Sequence, residues 1–122
     1  MVATGARAAL AAYGERVAAR HLAAEGMRIL SRNWRCREGE IDIVARDVDD
    51  SLVFCEVKTR STGRFGSPSE AVVTAKRRRL RRVAAAWLAA HQEHAAEVRF
   101  DVVGVIPRRA GAAAVEHLRG AF

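Results

Sequence analysis

Asp42, Glu56 and Lys58 stand where an ordinary strand would carry apolar or neutral side chains. Asp42 lies in the run Gly39-Glu40-Ile41-Asp42-Ile43-Val44, and the other two lie in Val53-Phe54-Cys55-Glu56-Val57-Lys58-Thr59. Both runs read as strands, whose side chains alternate between faces. Glu40, Asp42 and Val44 then share one face of the first strand, with Ile41, Ile43 and Ala45 on the other. Leu52, Phe54, Glu56 and Lys58 share a face of the second, opposite Val53, Cys55, Val57 and Thr59. Both strands are apolar enough to be central and covered on two sides, where an unpaired charge costs several kcal/mol. Adjacent strands that each bring a carboxylate to one face suit a hard divalent cation. Mg²⁺ takes oxygen ligands and keeps waters that can become nucleophiles. The competing reading is a salt-bridged ladder on an exposed strand.

The elements that must position these residues follow from pattern and punctuation. Residues 4–25 predict a helix ended by Gly26, a residue type that readily takes the left-handed cap conformation. Ala11, Ala18, Ala19 and Leu22 form its apolar stripe, and Glu15 lies on that same side. A short strand at 27–30 continues loosely toward Trp34, and a polar loop at 35–39 leads into a strand at 40–45. The acidic turn Asp47-Val48-Asp49-Asp50 reverses the chain into a strand at 52–59, making an antiparallel hairpin. Residues 60–69, with Gly63, Gly66 and Pro68, read as a loop, and 68–73 as a short helical turn. Thr74 caps a long helix in which Leu80, Val83, Ala84, Trp87, Leu88 and His91 recur at helical spacing. A strand at 98–106 stops before Pro107, and 115–118 is a short edge strand. The order α-β-β-β-α-β, with a last short strand, predicts one α/β domain over 1–122, a mixed central sheet flanked by helices.

The chain has 122 residues and a formal charge of +7, from 21 Lys plus Arg against 14 Asp plus Glu. Such an excess favours a polyanion through steering and counterion release, although arginine-rich composition alone is a weak signal. Placement says more. Only Lys58 and Lys76 are lysines, so each invites the question of why arginine did not serve. Lys76, Arg77, Arg78, Arg79, Arg81 and Arg82 crowd the start of the long helix. There they repel one another and oppose the macrodipole, costs that phosphates relieve. Arg60 and Arg64 leave the Glu56 strand and are natural phosphate contacts.

Other chemistries find little support. No apolar run reaches the length of a membrane span, and the Ala-rich start reads as an amphipathic helix rather than a leader. Cys36 and Cys55 form no CxxC, so two free thiols in a reduced, cytoplasmic protein are expected. Cys55 points away from Glu56, which argues against a nucleophile. His21, His91, His94 and His117 show no zinc spacing, Gly63 and Gly66 make no P-loop, and Asp101 reads as structural, paired with an arginine. Trp87 belongs to the core stripe, and Glu40 is either an auxiliary acid or an arginine partner.

The two strand motifs together resemble the YraN-like family of bacterial proteins. That family is related to archaeal Holliday-junction resolvases and the PD-(D/E)xK, restriction-endonuclease-like superfamily. The likeness extends to Gly14-Glu15, to Gly66-x-Pro68 with Glu70-Ala71-Val72, to Lys76, and to Arg99-Phe100-Asp101-Val102-Val103. It covers most of the chain, and Ile41 stands where the superfamily's proline would. The resemblance implies a restriction-endonuclease-like fold and an Mg²⁺ (or Mn²⁺) ion held by Asp42, Glu56, the Val57 carbonyl and Glu15. Lys58 would orient or activate the attacking water and steady the growing charge. Lysine suits that task because its pKa falls on desolvation, whereas arginine stays charged. The expected substrate is nucleic acid, DNA above all and of branched or structured form, contacted by Arg60, Arg64, Lys76, Arg77, Arg78 and Arg81. A homodimer is implied by the resolvases, and a non-catalytic nucleic-acid-binding module of the same fold is the alternative.

Overall fold

The computed structural model describes residues 2–60 and 74–122. Arg64 and the helical turn expected at 68–73 lie outside them. In chain order the elements are α1 (Val2–Ala24), β1 (Arg28–Cys36), β2 (Gly39–Arg46), β3 (Leu52–Thr59), α2 (Thr74–His91), β4 (Val98–Ile106) and β5 (Ala114–Leu118). The strands form one sheet in the order β1-β2-β3-β4-β5. All neighbours are antiparallel except β3 and β4, and α2 belongs to the crossover between that parallel pair. This is the expected α/β order. The first strand is longer than its apolar residues suggested. It runs to Cys36 and returns at Gly39 through the two-residue turn Arg37-Glu38, where a longer loop was expected.

Each face of the sheet is covered by one helix. Leu80, Val83, Ala84 and Trp87 of α2 pack on Ile41, Val44, Leu52, Phe54, Phe100 and Val102. Ala18 and Leu22 of α1 pack on Ile43, Ala45, Val53, Cys55, Val103 and Val105. Trp87 anchors the first layer: it meets Phe54 edge-on at 5.7 Å, and its Nε1 donates to Ser31 Oγ at 2.9 Å. That bond satisfies the one polar atom such a large buried side chain carries. His91 stacks on the Trp87 ring from the exposed side. Helix α1 ends as its glycine requires. Gly26 takes φ +94°, and its N–H donates to Ala23 while that of Met27 donates to Leu22, closing the last turn.

Strict alternation fails at one place in β2. Ile41 packs with Val44 on the α2 side, although three residues separate them and a regular strand would oppose them. Pairing of β2 with β3 stops at Ile43 opposite Cys55, so Asp42 and Glu56 fall just beyond the ladder. On the other side, the register between Arg32–Ile43 and Trp34–Ile41 sets Asn33 opposite Asp42, and Asn33 has φ +51°. Asparagine tolerates that left-handed conformation better than most residues. Both neighbours of β2 are therefore irregular at Asp42, and its carboxylate accepts the Val57 N–H at 2.8 Å in place of a ladder bond.

Helix α1 lies close against β3. A Cβ at Gly14 would overlap Thr59 Oγ1 and come within 2.8 Å of Thr59 Cβ. Glycine here sets the helix-to-strand distance and so fixes where the next residue, Glu15, stands. Gly14→Ala is expected to destabilise the protein by ~1–3 kcal/mol through overpacking, despite alanine's better helix propensity. Urea denaturation checks this; a midpoint equal to or above that of the parent would remove the close-packing account.

Candidate metal centre

The point where β2 and β3 part gathers the acids. A cleft of about 380 Å³ on the α1 side is lined by Glu15, Asp42, Glu56, Val57 and Lys58, with Arg7 and Thr59 beside them. A smaller hollow on the α2 side shares Asp42 and Glu56 and adds Glu40, Lys76 and Arg79. Asp42 and Glu56 thus border open space on both faces of the sheet. The expected residues of four separate elements meet here: Glu15 from α1, Asp42 from β2, Glu56 and Lys58 from β3, and Lys76 from α2.

Burial and crowding set the electrostatics. Asp42 is raised to about 7, first by burial and then by the negative charge of Glu56, with Glu15 and Glu40 adding to it; the Val57 N–H works the other way. A carboxyl that burial and three other carboxylates hold partly protonated near neutral pH lies in a position short of positive charge. Glu56 is only 8% exposed. Its Oε1 is met by both lysines of the chain, Lys76 Nζ at 2.8 Å and Lys58 Nζ at 3.5 Å. Burial and the neighbouring Lys76 ammonium lower Lys58, against the attraction of Glu56. For Lys76 burial opposes the charge, but the hydrogen bonds with Glu56 and Lys58 outweigh it and the pKa rises. One lysine is pressed toward its neutral form and the other locked as a cation, and this difference answers part of the question their rarity raised.

Several expectations are refined by these contacts. Lys76, expected among the nucleic-acid contacts, turns into the site and bonds Glu56. Glu40 takes an arginine partner, Arg35, at 3.2 Å, while still facing the α2-side hollow. The ends of the acids are not drawn round a common point. Among the described residues, the three whose ligand atoms all lie within 4.8 Å of one another are His21, Glu25 and His117. The sequence showed no zinc spacing for those histidines. The fold joins His117 of β5 to His21 of α1 and to Glu25 just after it, and the only signal in the sequence was the i, i+4 spacing of the latter pair. Asp101 pairs with Arg99 as expected, and Cys55 is buried on the α1 side, its thiol pushed up first by burial and then by nearby acids.

The cations of α2 are partly occupied within the fold. Arg77 lies over the Phe122 ring at 5.5 Å and Arg81 over Phe100 at 5.1 Å. Arg82 pairs with Glu38 at 3.2 Å. Arg78 and Arg79 are exposed, and the Arg60 N–H donates to the Val105 carbonyl, extending β3 beside β4. No helix among the described residues is long and apolar enough to cross a membrane.

Fold and site together define a mixed α/β protein that concentrates carboxylates and its two lysines where central strands separate. The chain belongs to the uncharacterised protein family UPF0102, whose profile matches residues 14–105. This is the YraN-like family that the motifs resemble, and the matched span contains Glu15, Asp42, Glu56, Lys58 and Lys76. A UPF0102 protein of Beutenbergia cavernae is 63% identical over 115 residues, covering 94% of this chain and 97% of its own length. One from Frankia alni is 61% identical over 121 residues, covering 99% and 100%. One from Streptomyces griseus is 56% identical over 116 residues, covering 94% and 97%.

The raised Asp42 has a consequence for stability with a definite sign. Its ordinary value is 3.8 and its folded value about 7. Between those values the unfolded chain releases the proton first, so the Asp42 contribution to stability falls as pH rises and is fully lost above the folded value. Asp42→Asn keeps an acceptor for Val57 and removes the charge. In metal-free buffer it should match the parent near pH 4 and exceed it by ~1–3 kcal/mol at pH 8. Thermal melts across pH decide this; a variant less stable than the parent at pH 8 would refute the crowding of charge.

Proposed function

We propose that this protein is a divalent-metal-dependent nuclease of the restriction-endonuclease-like kind, acting on DNA of branched or structured form. The observation that carries the reading is Asp42: burial and the charges of Glu56, Glu15 and Glu40 leave this carboxyl short of positive charge, with a partly desolvated lysine on the neighbouring strand. The donor set is oxygen-rich and fits Mg²⁺ or Mn²⁺, with Asp42, Glu56, the Val57 carbonyl and Glu15 as the groups that would hold the ion. The ion, when bound, supplies charge neutralisation at the scissile phosphate and acidifies water.

The chain's own residues do the rest. The Val57 N–H fixes one oxygen of Asp42 and so leaves the other to face the cleft. Lys76 holds Glu56 Oε1 from the α2 side at 2.8 Å, while Lys58 stands further off, 3.5 Å from the same oxygen. Lys58, its pKa lowered, is suited to orient a water and to shed or share a proton as charge develops on the phosphoryl oxygens. The exposed guanidinium groups of Arg78 and Arg79 give the approaching polyanion its first contacts. Arg60, Arg64, Arg77 and Arg81 add to the positive charge that the sequence carries between β3 and α2 and along α2.

A second reading rests on a specific observation. Glu56 Oε1 is held by Lys76 at 2.8 Å, so a cation must compete with an ammonium for that oxygen. If the ammonium prevails, the protein is a nucleic-acid-binding module that keeps the fold without cleavage.

A cleavage panel of branched, single-stranded and duplex DNA with Mg²⁺ or Mn²⁺ separates the two. Cutting that falls at least ~10²-fold in both Asp42→Ala and Lys58→Ala supports the nuclease. Salt-sensitive binding without cutting, unchanged in Asp42→Ala, selects the binding module. In either case Arg78→Ala with Arg79→Ala should weaken binding evenly across sequences. The slope of log K against log[salt] should flatten by about 1 for each phosphate that is no longer neutralised.

A further inference from the structure

The last turn of α1 and edge strand β5 bring together a second group of ligand-bearing side chains, apart from the acid cleft. His21 Nε2 lies 3.2 Å from Glu25 Oε1, and His117 Nδ1 lies 3.9 Å from the same oxygen. Both ring nitrogens are buried, and neither has a hydrogen-bond partner; the short His21 contact is misaligned for one. The His117 side chain is only 5% exposed. The two imidazoles meet edge to face, 5.3 Å between centroids at 81°.

What surrounds the group fixes its chemistry. Asp101 Oδ2 lies 2.7 Å from His117 Nε2. Burial works against the Asp101 charge, but hydrogen bonds from His117, Arg99 and the Gly120 N–H prevail and hold its carboxyl below the usual range. An ionised acceptor at that distance keeps the ring proton on Nε2, so Nδ1 points a lone pair toward Glu25. Arg119 takes the other Glu25 oxygen, Oε2, at 3.4 Å, which leaves Oε1 to the histidines. Asp47, Asp101 and Glu25 carry three negative charges against the two of Arg99 and Arg119. Lone pairs converge on a small space that retains an excess of negative charge.

We propose that His21 Nε2, His117 Nδ1 and Glu25 Oε1 form a binding site for a zinc-class divalent cation. Two imidazoles and one carboxylate select Zn²⁺ over Mg²⁺, which prefers an all-oxygen shell. Asp101 acts behind His117, orienting the ring and raising its basicity, an arrangement that recurs at metal-bound histidines. The three ligand atoms lie within 4.8 Å of one another. Around tetrahedral zinc they would stand about 3.3 Å apart. Glu25 is exposed and His21 half-buried, so these are the two side chains with room to shift toward the buried His117. Three protein ligands leave the fourth position of a tetrahedral shell to water. Occupied, the site ties the end of α1 to the outermost strand of the sheet.

Metal-stripped full-length protein is titrated calorimetrically with Zn²⁺, and with Co²⁺ as a visible-absorption probe. With excess Mg²⁺ present to fill the acid cleft, the expected result is one saturable equivalent with tetrahedral Co²⁺ bands. His21→Gln and Glu25→Gln, both at partly exposed positions, should each weaken binding at least tenfold. Cys36→Ser and Asp42→Asn should leave it intact, which separates this site from the free thiol and from the acid cleft. The absence of saturable binding, parental affinity in both ligand variants, or loss of binding in Asp42→Asn would each overturn the assignment.

Discussion

The hydrogen bond from the Val57 N–H to Asp42 is the interaction on which the centre of this molecule depends. Neighbouring strands normally satisfy each other's backbone, and a gap in a buried ladder leaves polar groups stranded. Here a side chain closes the gap. Because Asp42 takes the place of a backbone carbonyl, β2 and β3 can part without stranding Val57, and space opens between them. The same carboxylate then sits among Glu15, Glu40 and Glu56, which is electrostatically unfavourable in the absence of a cation. The opening and the crowding thus meet at one side chain, the first through its acceptor oxygen and the second through its charge.

Much of this was legible in the sequence because strand alternation and helical periodicity are local. The hairpin of β2 and β3, the helix stop at Gly26, the stripe of α2 and the acidic turn at Asp47 all follow from short-range pattern. Glu15 was legible too, because a carboxylate on the apolar side of a helix is conspicuous. Alternation misled at Ile41, since an irregularity that a side-chain hydrogen bond stabilises leaves no mark on the pattern of apolar residues. Trp34 and Cys36, polar-flanked and half-buried, gave too little apolar signal to show that β1 continues through them. Partners distant in sequence were out of reach: nothing local says that Lys76 will bond Glu56, or that His117 will meet His21.

Helix α1 connects the two polar centres of the fold. Gly14 lets it approach β3 closely, Glu15 enters the acid cleft, and His21 and Glu25 reach the edge strand. Six residues separate Glu15 from His21, which is about 9 Å along a helix. Its apolar residues Ala18 and Leu22 seal the sheet between them. A single helix thus carries residues of two different donor chemistries, oxygen at one place and nitrogen with oxygen at the other. Rotation of α1 about its axis would disturb both.

The convergence of Lys58 and Lys76 on one carboxylate oxygen has a practical side. Both side chains are partly accessible, 23% and 32% exposed, and they are the only lysines in the chain. Apart from the α-amino group, an acylating reagent finds its side-chain amines nowhere else. Lysine modification in this protein is therefore site-directed by composition alone. Any acyl group that lands there, whether from a chemist's label or a cell's metabolism, removes a positive charge from beside Glu56 and reports directly on the state of the cleft.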